Sequence, residues 1–218
     1  MGENKSFAVG HFAIGYLLSK TASKVLRVDL NVPLLLVLAI IPDMDILLKE
    51  LFPVFVHRGP THSIFVASAV FVPLFVVYKK RAVPYFLALV QHSLIGDYVG
   101  GGGVQLFWPL TLQDYGIRLD IRSLTNVAIE WTVFLLAVVV MFRSKDLFKL
   151  LRPESTNLVL IIPTTTVLLP IFLEFPICVP TWLVAPHLFY LLIFLASIMI
   201  TLSKLPRSKQ RRVDLTSY

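Results

Sequence analysis

Thiol chemistry has almost no place in this chain. Cys178 is the only cysteine, so an internal disulfide is impossible and a thiolate-based zinc site is excluded. Charge is scarce as well. Only 15% of the 218 residues are Asp, Glu, Lys or Arg, against roughly a quarter in a typical soluble domain. Internal repeats are missing. A convincing cleavable leader is missing too: Met1 to Ser6 is short and polar, and His11 interrupts the first apolar stretch, which reads as part of the mature fold.

What is there is apolar. Hydrophobic residues make up 56% of the chain and the mean hydropathy is +0.79. They fall in long runs instead of at 3.6-residue spacing, so lipid is expected around most of the fold. A membrane-crossing helix takes about 20 largely apolar residues. The runs 7–24, 32–48, 62–78, 83–99, 126–142, 158–175 and 183–203 qualify as candidates. The expected fold is therefore all-α, a polytopic transmembrane helix bundle of about seven helices, multi-pass in a plasma or inner membrane. Polar residues near the ends weaken the first, second and fourth spans, and a re-entrant or interfacial first hairpin is the alternative. Residues 1–203 form one expected domain, divided into a site-bearing half at 7–130 and accessory helices at 131–203, and followed by a basic tail at 204–218.

Basic residues orient the bundle. Four connections, after the first, third, fifth and seventh spans, hold 15 of the 20 Lys and Arg residues: Lys20, Lys24 and Arg27; Lys79, Lys80 and Arg81; Arg143, Lys145, Lys149 and Arg152; and Lys204, Arg207, Lys209, Arg211 and Arg212. All four fall on one side of a seven-span bundle. The positive-inside rule makes that side cytoplasmic, with the N-terminus outside and the C-terminus inside. The same rule accounts for the net charge of +7 without a nucleic-acid partner. The tail reads as a solvated stop-transfer flank or as a contact for anionic headgroups.

Ionisable groups within spans are costly, so their presence points to function. Here they gather at the opposite, outer end: His11 in the first span, Asp43 and Asp45 ending the second, His57, Arg58 and His62 around the start of the third, His92 and Asp97 late in the fourth, and Glu130 early in the fifth. Lysines and arginines alone set the orientation, and the acids and histidines converge independently. Neutral imidazoles and carboxylates suit a divalent metal, zinc first, with manganese or iron as alternatives. The expected ligands are His11, Asp43, Asp45, His57, His62, His92 and Asp97. Such an ion lowers the pKa of a bound water to about 7. Arg58, whose planar fork matches phosphate oxygens, would steady anionic charge, and whichever of Asp43 and Asp45 is free would act as base.

Each piece also has a plainer reading. His11 alone could be a hydrogen-bonded helix histidine. Pro-Asp-Met-Asp could be a turn, and two residues apart on a helix do not share a face, so one aspartate could stand behind the other. Arg58 could simply pair with an aspartate. His92 and Asp97 are five apart, whereas a regular helix aligns ligands at three or four; a bulge at Gly96 would reconcile them. Glu130 is favoured near a helix N-terminus in any case. His187 is expected to pack or hydrogen-bond. The run Gly100 to Gly103 allows positive backbone angles or serves as a connector.

Gly10-His11, Pro42-Asp43-Met44-Asp45, His57-Arg58-Gly59-Pro60-Thr61-His62-Ser63, and His92 with Asp97 leading into Gly103-Val104-Gln105-Leu106-Phe107-Trp108-Pro109 occur in this order. Over roughly residues 8–110 the chain resembles the YdjM-like family of membrane-bound metal-dependent hydrolases. The resemblance implies that the histidines and aspartates bind metal and that the chain hydrolyses a substrate. In that family the aspartate commonly follows the histidine by four, so the interval of five here departs from the pattern. The order of ligands also looks like that of zinc-dependent phospholipase C and related nucleases, which points to phosphoester chemistry. The expectation is a hydrolase acting on an ester or phosphoester of a lipid or lipid-linked substrate. A metal or solute transporter using the same ligands, and a non-catalytic membrane protein with a structural metal, are the alternatives. Oligomeric state is not legible.

Overall fold

The computed structural model describes residues 7–45, 57–169 and 179–214. Among them the chain is helical with no β-strand, only two isolated bridges, Gly100 with Leu119 and Val104 with Tyr115. The helices are α1 (Ala8–Leu26), α2 (Val32–Ile40), α3 (Ile64–Tyr78), α4 (Val83–Gln91), α5 (Leu124–Arg143), α6 (Ser155–Leu168, a mixture of 3-10, α and π turns) and α7 (Thr181–Asp214). Each overlaps one expected run, α2 and α4 being shorter than theirs and α7 longer. Cys178, Glu174, residues 46–56 and the end of the sixth run lie outside the described residues, as do the side chains of most of the tail.

Local chemistry sets the boundaries. Asn31 caps α2 by accepting a hydrogen bond from Leu34 N–H, with Pro33 in the first turn. Ser63 caps α3 and Ser123 caps α5 in the same way. Arg27 ends α1 in the left-handed conformation, φ 52°.

Among the described residues two helices are long and apolar enough to cross a membrane, α5 and the Thr181–Lys204 part of α7. The other expected spans differ for identifiable reasons. α1 packs among α2, α4 and α5 and is buried along most of its length, so it need not be apolar. α2 tightens into a 3-10 turn at Pro42, and α4 is interrupted by a π-turn after Gln91. α3 stands at the periphery, where Val70, Val72, Val76 and Val77 are exposed, an apolar face suited to lipid.

The core joins α1 to α5 and α7. The Phe12 ring lies 5.0 Å from Tyr190 and 5.4 Å from Phe194, and Phe134 lies 5.8 Å from Tyr190. α1 and α2 meet at Gly15, where a Cβ would fall 2.7 Å from the Ala39 Cβ, so only glycine allows this approach.

At the other end of α1 a polar tie replaces apolar packing. Asp146 accepts hydrogen bonds from Tyr16 Oη (2.9 Å), Ser144 Oγ (2.8 Å), Lys149 Nζ (3.1 Å) and Lys20 Nζ. Burial pushes its carboxyl up, but the donors, Lys20 foremost, outweigh that and hold it below the usual carboxylate range. A depressed native pKa gives stability that is complete above the unfolded value of about 3.9 and lost as pH falls below it. Asp146→Asn should therefore lower the unfolding temperature in detergent at neutral pH, with the gap to the parent closing below about pH 4. Equal thermal stability at neutral pH would show that the tie contributes nothing.

Candidate metal centre

Five segments bring the polar residues together at one end of α1. The 3-10 turn Ile41–Met44 separates two aspartates that lie two residues apart in the sequence. Asp43 faces His62 and His92, whereas Asp45 lies behind the histidines, fully buried. The segment 57–63 turns sharply: Arg58 adopts φ 65°, and Pro60–His62 forms a second 3-10 turn. The loop 100–123 clamps it. Gln105 N–H donates to Arg58 O (3.0 Å), Ile64 N–H to Leu106 O (3.0 Å) and Ser63 Oγ to Trp108 O (2.5 Å). Gly101 and Gly103, at φ 102° and 96°, let that loop fold back on itself.

The five-residue interval between His92 and Asp97 is absorbed by a π-turn, His92–Gly96. One extra residue in the turn returns position i+5 to the face of position i. Asp97 Oδ2 comes to lie 3.6 Å from His92 Nε2 and 3.0 Å from His62 Nε2. Asp43 Oδ1 lies 3.2 Å from His92 Nε2 and 3.7 Å from His62 Nε2. Asp43, His62, His92 and Asp97 thus each offer one ligand atom, all within 4.8 Å of one another.

Both histidines are held in the tautomer that a metal needs. His92 Nδ1 lies 2.9 Å from Ala39 O, which can only accept, so Nδ1 carries the proton. Thr61 Oγ1 donates to Asp45 Oδ2 (2.7 Å), so at 2.9 Å it accepts from His62 Nδ1, which also faces Asp45 Oδ2 at 3.3 Å. Each Nε2 therefore turns a lone pair into the cluster, and neither makes an aligned hydrogen bond among the described residues. Imidazoles fixed from behind by a carbonyl or carboxylate are typical of metal sites. Two nitrogens and two carboxylates fit zinc, and equally manganese or iron.

The remaining expected residues surround this quartet. Asp45 is filled with donors: His57 Nδ1 at 2.7 Å, Arg58 N–H at 3.2 Å, Thr61 and His62. His57 thereby joins Asp45 and His62 in a second, overlapping group with metal-ligand spacing. Its Nε2 is buried without a hydrogen-bond partner among the described residues. Arg58 pairs with Asp97, Nη2 to Oδ1 at 3.0 Å, rather than with the aspartates that follow α2. His11 is not among the four converging ligands. Its ring stacks on His92 at 3.7 Å and 12°, with Gly96 closely underneath. Glu130 reaches Gly10 N–H and stays outside the quartet. His187 donates from Nδ1 to Leu183 O within its own helix (2.7 Å).

Sequence reasoning missed Gln91, whose side-chain amide donates to His11 O (3.1 Å), Ala39 O (3.4 Å) and Ala88 O (3.2 Å), tying α1, α2 and α4 behind the centre. An amide inside the apolar run next to His92 was the available signal.

The fold and the site together define an all-helical protein with two helices able to cross a membrane and a buried His/Asp cluster able to hold a metal ion. The sequence model of the YdjM inner membrane protein family matches residues 7–204, and the chain belongs to that family. No curated protein and no solved structure matches it.

Proposed function

We propose that the protein is a membrane-bound metal-dependent hydrolase acting on an ester or phosphoester of a lipid or lipid-linked substrate. One observation supports this reading above the others: His62 Nε2 and His92 Nε2, both locked from behind, meet Asp43 and Asp97 at one buried point. A divalent ion there, zinc by preference, supplies the positive charge that makes a water acidic near neutral pH. Asp43, His62, His92 and Asp97 would hold it. Asp45 keeps His57 and His62 oriented; because donors occupy its oxygens, we assign the role of base to the second carboxylate oxygen of Asp43, whose Oδ1 is the one facing the histidines and whose side chain is 12% exposed. Arg58 fixes Asp97 and adds a cation that favours anionic charge developing nearby.

We place this end of the bundle at the outer face of a multi-pass inner membrane protein, with the basic connections at the cytoplasmic face. A lipid substrate follows from the position of the cluster at the end of apolar helices. In the transport reading the polar path would continue along α1, yet Phe12, Ala13 and Tyr16 there are buried in the apolar core.

The test compares parent and His62→Ala proteins, purified in detergent and loaded with zinc, on a panel of phosphatidic acid, diacyl phosphodiesters, polyprenyl phosphates and carboxylic-ester lipids. We expect turnover of at least one class by the parent and a drop of at least about 100-fold in the variant. No turnover on any class, or equal turnover by both proteins, would refute the catalytic role.

A further inference from the structure

Beside the metal centre lies a second concavity. α1, α5 and the π-turn enclose a cavity of about 60 Å³, and His11 forms a wall common to it and to the cluster. Gly10, Gly96 and Gly100 line it; three missing side chains create the space. Its polar floor is Glu130, only 7% exposed. The Gly10 N–H donates to the Glu130 carboxylate, and a Cβ on residue 10 would fall 2.7 and 2.8 Å from the two carboxylate oxygens. Oε2 of Glu130 is buried with no hydrogen-bond partner among the described residues. A buried carboxylate oxygen left without a donor is costly.

The other polar groups in the cavity do not supply one. Asn126 gives one of its two amide hydrogens to Ile121 O (3.0 Å), its Oδ1 is an acceptor near Gly100, and the His11 ring is the other polar group of the lining. The lining includes no lysine or arginine. Among the described residues the cavity thus offers a buried acceptor, Glu130 Oε2, that no donor meets. Its rim is apolar: Ile95 and Ile129 are 37% and 41% exposed, and Ile129 belongs to the membrane-crossing helix α5.

We propose that this pocket binds the primary ammonium headgroup of a membrane amphipath, the N–H groups meeting Glu130 while the alkyl part runs over the isoleucines. The size of the cavity admits a few heavy atoms, enough for an aminoethyl end and too few for a chain. A trimethylammonium group carries the same charge but no N–H donor and more bulk, so the pocket discriminates against it. This assignment rests on the hydrolase reading only in making the bound lipid a substrate; binding itself does not require turnover.

The experiment measures retention of dodecylphosphoethanolamine and dodecylphosphocholine by the full-length chain, using native mass spectrometry from a neutral detergent, with turnover followed in parallel. The parent should hold the primary amine at least tenfold more tightly. Glu130→Gln should abolish that preference. Gly100→Ala, whose added methyl meets its nearest neighbours at 3.5–3.6 Å without a clash, should reduce it and keeps the test decisive if the Glu130 variant does not fold. Asp43→Ala should lose turnover and keep the preference. Equal retention of the two amphipaths by the parent overturns the proposal, as does an undiminished preference in Glu130→Gln or, where that variant does not fold, in Gly100→Ala. Selectivity without turnover of these two amphipaths supports the pocket and leaves the hydrolase reading to the lipid panel; turnover without selectivity fails the pocket alone.

Discussion

Alanine at position 96 should strip the metal centre of its ion without touching a single ligand. A Cβ there would sit 2.2 Å from His11 Cε1 and 2.5 Å from His11 Nδ1. The His11 ring has little freedom to retreat, because it is buried and its face lies 3.7 Å from that of His92. Moving His11 moves His92, and with it the Nε2 that faces Asp43 and Asp97. Displacing a group that supports a ligand typically costs 10–100-fold in metal affinity, and Gly96→Ala should fall at or above the upper end. Two controls identify the cause. Gly100→Ala, one helical turn on and free of clashes, should bind metal like the parent. His11→Ala in the Gly96→Ala background should recover much of the affinity, since it removes the obstructed ring. Parental zinc affinity in Gly96→Ala, measured by competition with a chromophoric chelator, would mean that the packing of His11 on the π-turn does not support the centre.

The seven helical segments were legible in the apolar runs because blocks of 15 to 20 apolar residues can be buried only as helices, in lipid or against one another. Which of them are fully membrane-crossing was not. The sequence does not reveal that α1 is surrounded by other helices, and a buried helix escapes the hydropathy requirement that lipid imposes. At the site, residue types identified the chemistry and local geometry divided the roles. Asp43 and Asp45 were visible as a pair that could not share a helix face, but only the turn at Pro42 shows which one enters the cluster. The interval between His92 and Asp97 looked one residue too long for a helix, and the π-turn supplies that residue. His11 carried the same signal as the other histidines yet stacks on one of them, a distinction that depends on the depth of α1 against the π-turn. The Asp146 tie to Tyr16 and Lys20 gave no sign at all, because its partners are separated by about 130 positions in the chain.

The second large effect concerns a residue that supports the ligands from behind. Asp45 binds His57, Thr61 and His62 through its two oxygens, so Asp45→Ala frees His62 to rotate and should weaken metal binding by about 10–100-fold while leaving all four ligands in place. Removing a ligand should do more. Elemental analysis of purified protein after zinc loading and desalting, run on the parent, Asp45→Ala, His92→Ala and His187→Ala, therefore tests the central claim most directly. We expect near-stoichiometric metal in the parent and in His187→Ala, a reduced content in Asp45→Ala, and none above background in His92→Ala. A parent that retains no metal, or a His92→Ala protein that retains as much as the parent, would contradict the account.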